Sequence, residues 1–211
     1  MNRKIVVGVW KDKLTVTQSA LNSQALAEQL RGRTLGFDAC VAPSPIALVS
    51  AMSAAENSPL QIVCQDVHWQ DPKRSYIGTT SIPMLKDVGI NICIVGHSER
   101  RRVFGETDED VHRKLLDCID AGIFPILAVG DEEESLEERR KVLQTQLKGG
   151  LGLDTDRPVD ISKIAIAYEP VWAISTWRSN SPLPTGKDVS LQSNDIRIKH
   201  DRISIFGHSQ K

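Results

Sequence analysis

Lys11, His97 and Glu169 each follow directly on a short apolar run, and together they could move a proton between carbon atoms. Runs of this kind read as buried strands, and the C-terminal ends of strands are where an α/β barrel gathers its reactive groups. A carboxylate can take a proton from carbon, and an imidazole can polarise the neighbouring carbonyl. An ammonium can hold an anionic substrate and offset developing negative charge. A lone histidine more often serves structure than catalysis. Three such groups at three equivalent strand ends favour chemistry.

Other motifs yield to plainer readings. Gly149-Gly150-Leu151-Gly152 follows a helix, not a strand, and lacks the third glycine of a dinucleotide fingerprint, so it reads as a flexible connection. Thr185-Gly186-Lys187-Asp188 lacks the upstream glycine of a P-loop, and Asp188 stands where Ser or Thr would hold magnesium. Gly96-His97-Ser98-Glu99-Arg100 has arginine where the hydrolase elbow needs its last glycine. Cys64 and His68 sit at a strand end without a second ligand pair, and no metal site is implied.

The elements that must carry the three groups alternate along the whole chain, strand then helix, which argues for an α/β fold with parallel strands. Strands are expected at Lys4 to Val9, Ala39 to Ala42, Gln61 to Gln65, Ile92 to Val95, Pro125 to Val129, Lys163 to Tyr168 and Arg202 to Phe206. Their starts lie about 33 residues apart, the length of one strand-helix unit. An eighth unit would begin at about residue 235, past Lys211. A helix is expected from Thr17 to Leu30, with Ala20, Leu21, Ala25, Leu26 and Leu30 as its apolar positions and Gly32 as its stop. Thr107 begins another, with Asp108, Glu109 and Asp110 at the positive end of its dipole and Gly122 closing it. The charge block from Asp131 to Lys141 reads as a solvated helix with a Glu137 to Lys141 pair, and Arg178 to Gly186 reads as loop.

Composition narrows the partner. The 211 residues include 26 basic and 27 acidic side chains, so no bulk charge attracts nucleic acid or anionic lipid. The 40% of hydrophobic residues excludes a disordered tail, and no uncharged apolar stretch of about 18 residues is present to span a bilayer. A small molecule is the expected partner. The short apolar patch after Met1 does not form a secretion signal, and Cys40, Cys64, Cys93 and Cys118 read as reduced core residues. Both point to the cytoplasm.

Four stretches, in order and spacing, resemble the triosephosphate isomerase family: Val7-Gly8-Val9-Trp10-Lys11, Gly96-His97-Ser98-Glu99-Arg100-Arg101, Phe104-Gly105-Glu106-Thr107 and Ala167-Tyr168-Glu169-Pro170-Val171-Trp172-Ala173. Pro83-Met84-Leu85-Lys86-Asp87 and Pro125-Ile126-Leu127-Ala128-Val129-Gly130 extend the likeness, which runs from Ile5 to Ile174. The resemblance implies a single TIM (β/α)8-type barrel domain over residues 1–211, with 170–211 divergent and the eighth βα unit missing. It implies Glu169 as the base that shuttles a proton between adjacent carbons. It implies His97 as the neutral electrophile, Lys11 as a catalytic and phosphate-binding contact, and Ser175 and Ser209 as further phosphate contacts. Glu99 would support the site. No metal and no cofactor are expected, and a homodimer is.

Several positions depart from the family pattern. Val9 replaces an asparagine that helps bind substrate. Ile174-Ser175-Thr176-Trp177 replaces the lid's Ile-Gly-Thr-Gly, and two lost glycines restrict closure. Ile77-Gly78-Thr79 replaces the Thr-Gly-Glu that reaches into the partner subunit, Phe206-Gly207-His208-Ser209 stands for Tyr-Gly-Gly-Ser, and no phosphate-binding glycine pair follows. Triose-phosphate isomerisation is the first expectation. Two alternatives stay open: an isomerase for a four-carbon sugar phosphate, suggested by His68-Trp69 and the altered lid, and an inactive truncated barrel with a binding role.

Overall fold

A parallel strand buried on both faces is apolar at every position, and residues 92–95 meet that rule in a computed structural model that describes residues 4–69, 75–131, 136–170 and 203–205, whereas the first strand leaves Lys4, Val6 and Gly8 exposed. Strand β1 (Lys4–Val9) pairs in parallel with β2 (Phe37–Ala42), and β2 with β3 (Gln61–Ile62). A second parallel ladder runs β4 (Ile92–Val95), β5 (Phe124–Asp131), β6 (Ala165–Pro170), β7 (Ile203–Ile205). The two ladders meet at a bridge between Cys64 and Cys93. There the Cys64 N–H donates to Ile92 O at 3.0 Å and the Ile94 N–H to Cys64 O at 2.9 Å. β7 also approaches β1.

Alternation along the strands divides the core into two layers. Ile92 and Ile94 join Val7, Val63, Ile126 and Ala128 on one face, while Cys93 and Val95 join Leu115, Cys118 and Leu127 against the helices on the other. All four cysteines are free and buried.

Helix α1 (Val16–Leu30) begins at a capping box formed by Thr15 and Gln18 and stops before Gly32, whose φ is +70°. It buries Ser19, Ser23 and Ala27, and Leu21 of the expected apolar face is 59% exposed. Small side chains one turn apart let α1 pack directly on α2 (Leu48–Ala54), so close approach decides which face turns inward. α3 (Ile82–Asp87) and α4 (Ser98–Phe104) are short. α5 (Asp108–Asp120) starts at a Thr107–Asp110 capping box and buries Val111, Leu115 and Cys118, each apolar side chain contributing about 1.5–3 kcal/mol. α6 (Leu136–Gly150) carries the expected Glu137–Lys141 pair, at 2.8 Å.

The glycines at and just past the end of α6 are packing devices, where flexibility was expected. A Cβ at Gly149 would lie 2.6 Å from Asp108 Cβ, and one at Gly152 would strike the His112 ring. They let α6 close against α5. Among the described residues no helix is long and apolar enough to cross a membrane.

Candidate active site

Three strand ends deliver the three expected groups to one place. β1 ends at Val9, and after Trp10 comes Lys11 with φ 54°, a left-handed conformation that costs a non-glycine residue about 1–3 kcal/mol. Gln65 holds it there: its Nε2 donates to Lys11 O at 2.9 Å and to Ala42 O at 2.8 Å, tying the ends of β1 and β2 to the segment after β3. After β4 the chain turns sharply at Gly96, φ +76°, where a Cβ would crowd Val111 and Ala128 O. Arg101 Nε donates to Gly96 O at 2.8 Å and secures the turn.

That turn makes His97 the N-cap of α4. Its Nδ1 accepts the Glu99 N–H at 3.2 Å, and an accepting Nδ1 puts the ring proton on Nε2. Nε2 lies 2.8 Å from Glu169 Oε1. The other oxygen, Oε2, accepts the Ser98 N–H at 3.0 Å. His97 is 9% exposed and Glu169 7%. Lys11 Nζ reaches Glu99 Oε1 at 2.5 Å. Lys11, His97, Glu99, Gln65, Arg100 and Val9 wall a cavity of about 600 Å³. Ser175 and Ser209 lie outside the described residues, as do the lid segment and Phe206 to Ser209.

The charges in this cluster act on one another. Burial pushes the Glu169 carboxyl up, but the hydrogen bond and charge of His97 and the Ser98 N–H outweigh burial and hold it below its ordinary value. Burial pushes the His97 imidazole down, and the Glu169 hydrogen bond and the charges of Glu169 and Glu99 raise it by more. A proton at Nδ1 would cost the Glu99 N–H bond, so the resting ring donates to Glu169 from Nε2 and accepts at Nδ1.

A group whose pKa falls on folding adds stability that is complete above its unfolded value and is lost as pH drops through the folded one. For Glu169 the unfolded value is 4.5, and the folded one lies lower. The unfolding free energy of the wild type, minus that of Glu169→Gln, is expected to shrink as pH goes from about 5 to 3. Urea melts at several pH values check this, and a difference that grows on acidification would contradict it.

Behind the site lies a network the sequence did not announce. Lys114, 2% exposed, places Nζ 2.7 Å from Asp66 Oδ1 and 2.5 Å from Glu106 Oε2. Arg100 Nε reaches the same two carboxylates at 3.0 and 3.3 Å. Two cations and two anions close a neutral quartet between the segment after β3, α4 and α5. Gln65 was equally unannounced, although it closes the third expected strand and the rule that selected Lys11, His97 and Glu169 selects it too. His68 lines the cavity, and Trp69 stacks on it with ring centroids 5.0 Å apart. Among the described residues no group of three His, Cys, Asp or Glu side chains could hold a metal ion.

Comparison with known proteins gives one answer. The family profile described as triosephosphate isomerase matches residues 4–187. A triosephosphate isomerase from Chlorobium phaeovibrioides is 41% identical over 186 residues, covering 86% of this chain and 71% of the relative. One from Moorella thermoacetica is 40% identical over 185 residues (85% and 71%), and one from Aquifex aeolicus 36% over 185 (85% and 72%). The match takes in the strand ends that bear Lys11, His97 and Glu169, and the chain belongs to the triosephosphate isomerase family.

Proposed function

We propose that this chain is a triose-phosphate isomerase, interconverting dihydroxyacetone phosphate and glyceraldehyde 3-phosphate on a single (β/α)8-type barrel domain. The observation that carries the reading is the 2.8 Å contact between His97 Nε2 and Glu169 Oε1, with Lys11 and Glu99 beside it. Relatives at 34–41% identity bear that enzyme's name, which supports the same assignment.

At rest, Glu169 is bonded to His97 and to the Ser98 amide, so substrate must draw it away from both. Its carboxylate then takes the proton from one substrate carbon and returns it to the adjacent one. As that C–H bond breaks, its electron pair forms the carbon–carbon double bond of an enediolate and negative charge grows on the carbonyl oxygen. His97 Nε2–H donates to that oxygen, and the imidazole relays the hydroxyl proton of the neighbouring substrate oxygen onto it, so the old carbonyl becomes a hydroxyl as the old hydroxyl becomes the carbonyl. Once Glu169 has left, the two largest influences that raised the imidazole are gone, and the Glu99 N–H at Nδ1 favours the neutral ring. Lys11, freed in part from Glu99, holds the phosphate with Ser175 and Ser209. The sequence is a proton transfer throughout and calls on no cofactor or metal.

A coupled assay offering triose and four-carbon sugar phosphates tests the reading. Turnover of the triose phosphates supports it, and turnover of the four-carbon compound alone replaces it with the related isomerase. A folded protein that turns over neither is a binding protein.

The enzyme is proposed to act as a homodimer in the cytoplasm. Free, buried cysteines suit a reducing compartment. Ile77 is fully exposed and Phe104 66% exposed, while Val103, Phe104, Gly78 and Thr79 all line the cavity. Apolar side chains so placed fit a subunit contact. Ile77→Asp is expected to shift the sedimentation coefficient from dimer to monomer, and an unchanged dimer would place the contact elsewhere.

A further inference from the structure

We propose that Gln146 is a positioning residue for Glu169, acting through the end of β5. β4 stops at Val95, opposite Leu127, whereas β5 continues to Asp131. Over its last residues β5 therefore keeps its pairing with β6 but has no strand continuing on the β4 side. There Gln146, from α6, takes the place of a strand. The Gly130 N–H donates to Gln146 Oε1 at 2.9 Å, and Gln146 Nε2 donates to Gly130 O at 2.8 Å. One primary amide satisfies both backbone groups of a buried residue, which would otherwise stand unpaired.

The consequence passes to the candidate base through the sheet. Gly130 pairs with Glu169 in the β5–β6 register. Contact there is so close that a Cβ on Gly130 would lie 3.0 Å from Glu169 Cβ and collide with its carbonyl oxygen. Whatever fixes Gly130 fixes the Glu169 backbone. The carboxylate must in turn keep Oε1 on His97 and Oε2 on the Ser98 amide, and must swing from there onto a substrate carbon. Proton transfer is sensitive to such placement, since a shift of about 1 Å costs about a hundredfold. The residue type matters as well: asparagine is one carbon short, and an ionised glutamate accepts without donating.

The proposal rests on the isomerase reading, and its test separates the two. Q146M keeps the length of the side chain and loses both bonds. Measured well below each protein's melting midpoint, its kcat on dihydroxyacetone phosphate is expected to fall about tenfold to a hundredfold, with KM changed less than about threefold. Q146E supplies a rescue: protonated, its carboxyl offers one donor and one acceptor as the amide does. The Q146E to wild-type activity ratio is therefore expected to rise as pH falls, while the Q146M ratio stays flat. Should Q146M not fold, the Q146E ratio decides. The His97 Nε2–H resonance in ¹⁵N-histidine-labelled protein reads the Glu169 contact without turnover, and it is expected to move in Q146M. A folded Q146M with kcat within about twofold of wild type, or a Q146E ratio flat with pH, overturns the proposal. Absence of turnover in the wild type refutes the isomerase reading alone. The His97 resonance then decides, movement supporting the role of Gln146 and an unmoved signal overturning it.

Discussion

Glu169→Gln is expected to lower kcat by roughly 10²- to 10⁴-fold, the range that a positioned general base contributes. Glutamine matches glutamate in size, and its carbonyl oxygen can still accept from the Ser98 N–H or from His97 Nε2, the two contacts that hold Glu169. The fold and the Lys11–Glu99 pair should therefore persist. What disappears is the basicity needed to take a proton from carbon, so KM should change far less than kcat. Exchange of substrate carbon-bound hydrogen with deuterated solvent, followed by proton NMR, isolates that step. Wild-type protein should exchange and the variant should not. Exchange surviving at a tenth of the wild-type rate or more would mean that another group removes the proton.

Removing Lys114 is expected to have the largest effect on stability. Lys114→Met keeps the apolar stem and deletes the ammonium that lies 2.7 Å from Asp66 and 2.5 Å from Glu106. Truncating one partner of a buried ion cluster costs about 3–5 kcal/mol, because the remaining charges stay buried without compensation. Arg100 alone would then face two carboxylates, leaving a net charge of one where the quartet had none. Burial already pushes the Asp66 carboxyl up, against the pull of Lys114, and loss of the ammonium raises it further. Asp66 should then take up a proton on acidification, so the destabilisation should be smaller at about pH 5 than at pH 7. Urea unfolding at both values measures it. Asp66→Asn placed on the Lys114→Met background should recover part of the loss. A loss below about 1 kcal/mol would show that Arg100 suffices to neutralise both acids.

The strands were legible as short apolar runs: β1 and β4 fall at the expected residues, and β5 and β6 extend past their expected ends. β3 contracts to Gln61–Ile62: the Val63 N–H still donates to Val41 O, and Cys64 then pairs with Cys93 of the other ladder. Helix faces were less legible. In α1 Leu26 and Leu30 of the expected face do pack on the core, but Leu21 and Ala25 are exposed and the buried positions go to Ser19, Ser23 and Ala27. The three reactive groups could be read because each is a rare type at a strand end. Their supports could not: Gln65, Lys114 and Gln146 are of types common on protein surfaces, and their importance comes from backbone groups and charges brought near by folding.

The meeting of the two ladders at Cys64 and Cys93 divides the labour of the site. Lys11 and the Gln65 that clamps it belong with β1 to β3, whereas His97, Glu169 and the Gly130–Gln146 brace belong with β4 to β6. Lys11, proposed to hold the anion, and the pair proposed to move the proton thus stand on separate modules that meet at that seam. Slippage along that seam would change the distance between a held phosphate and the acid–base pair while leaving each module internally whole. Affinity and turnover could then drift apart under mild stress before either is lost, and the seam is where a designer could retune one without rebuilding the other.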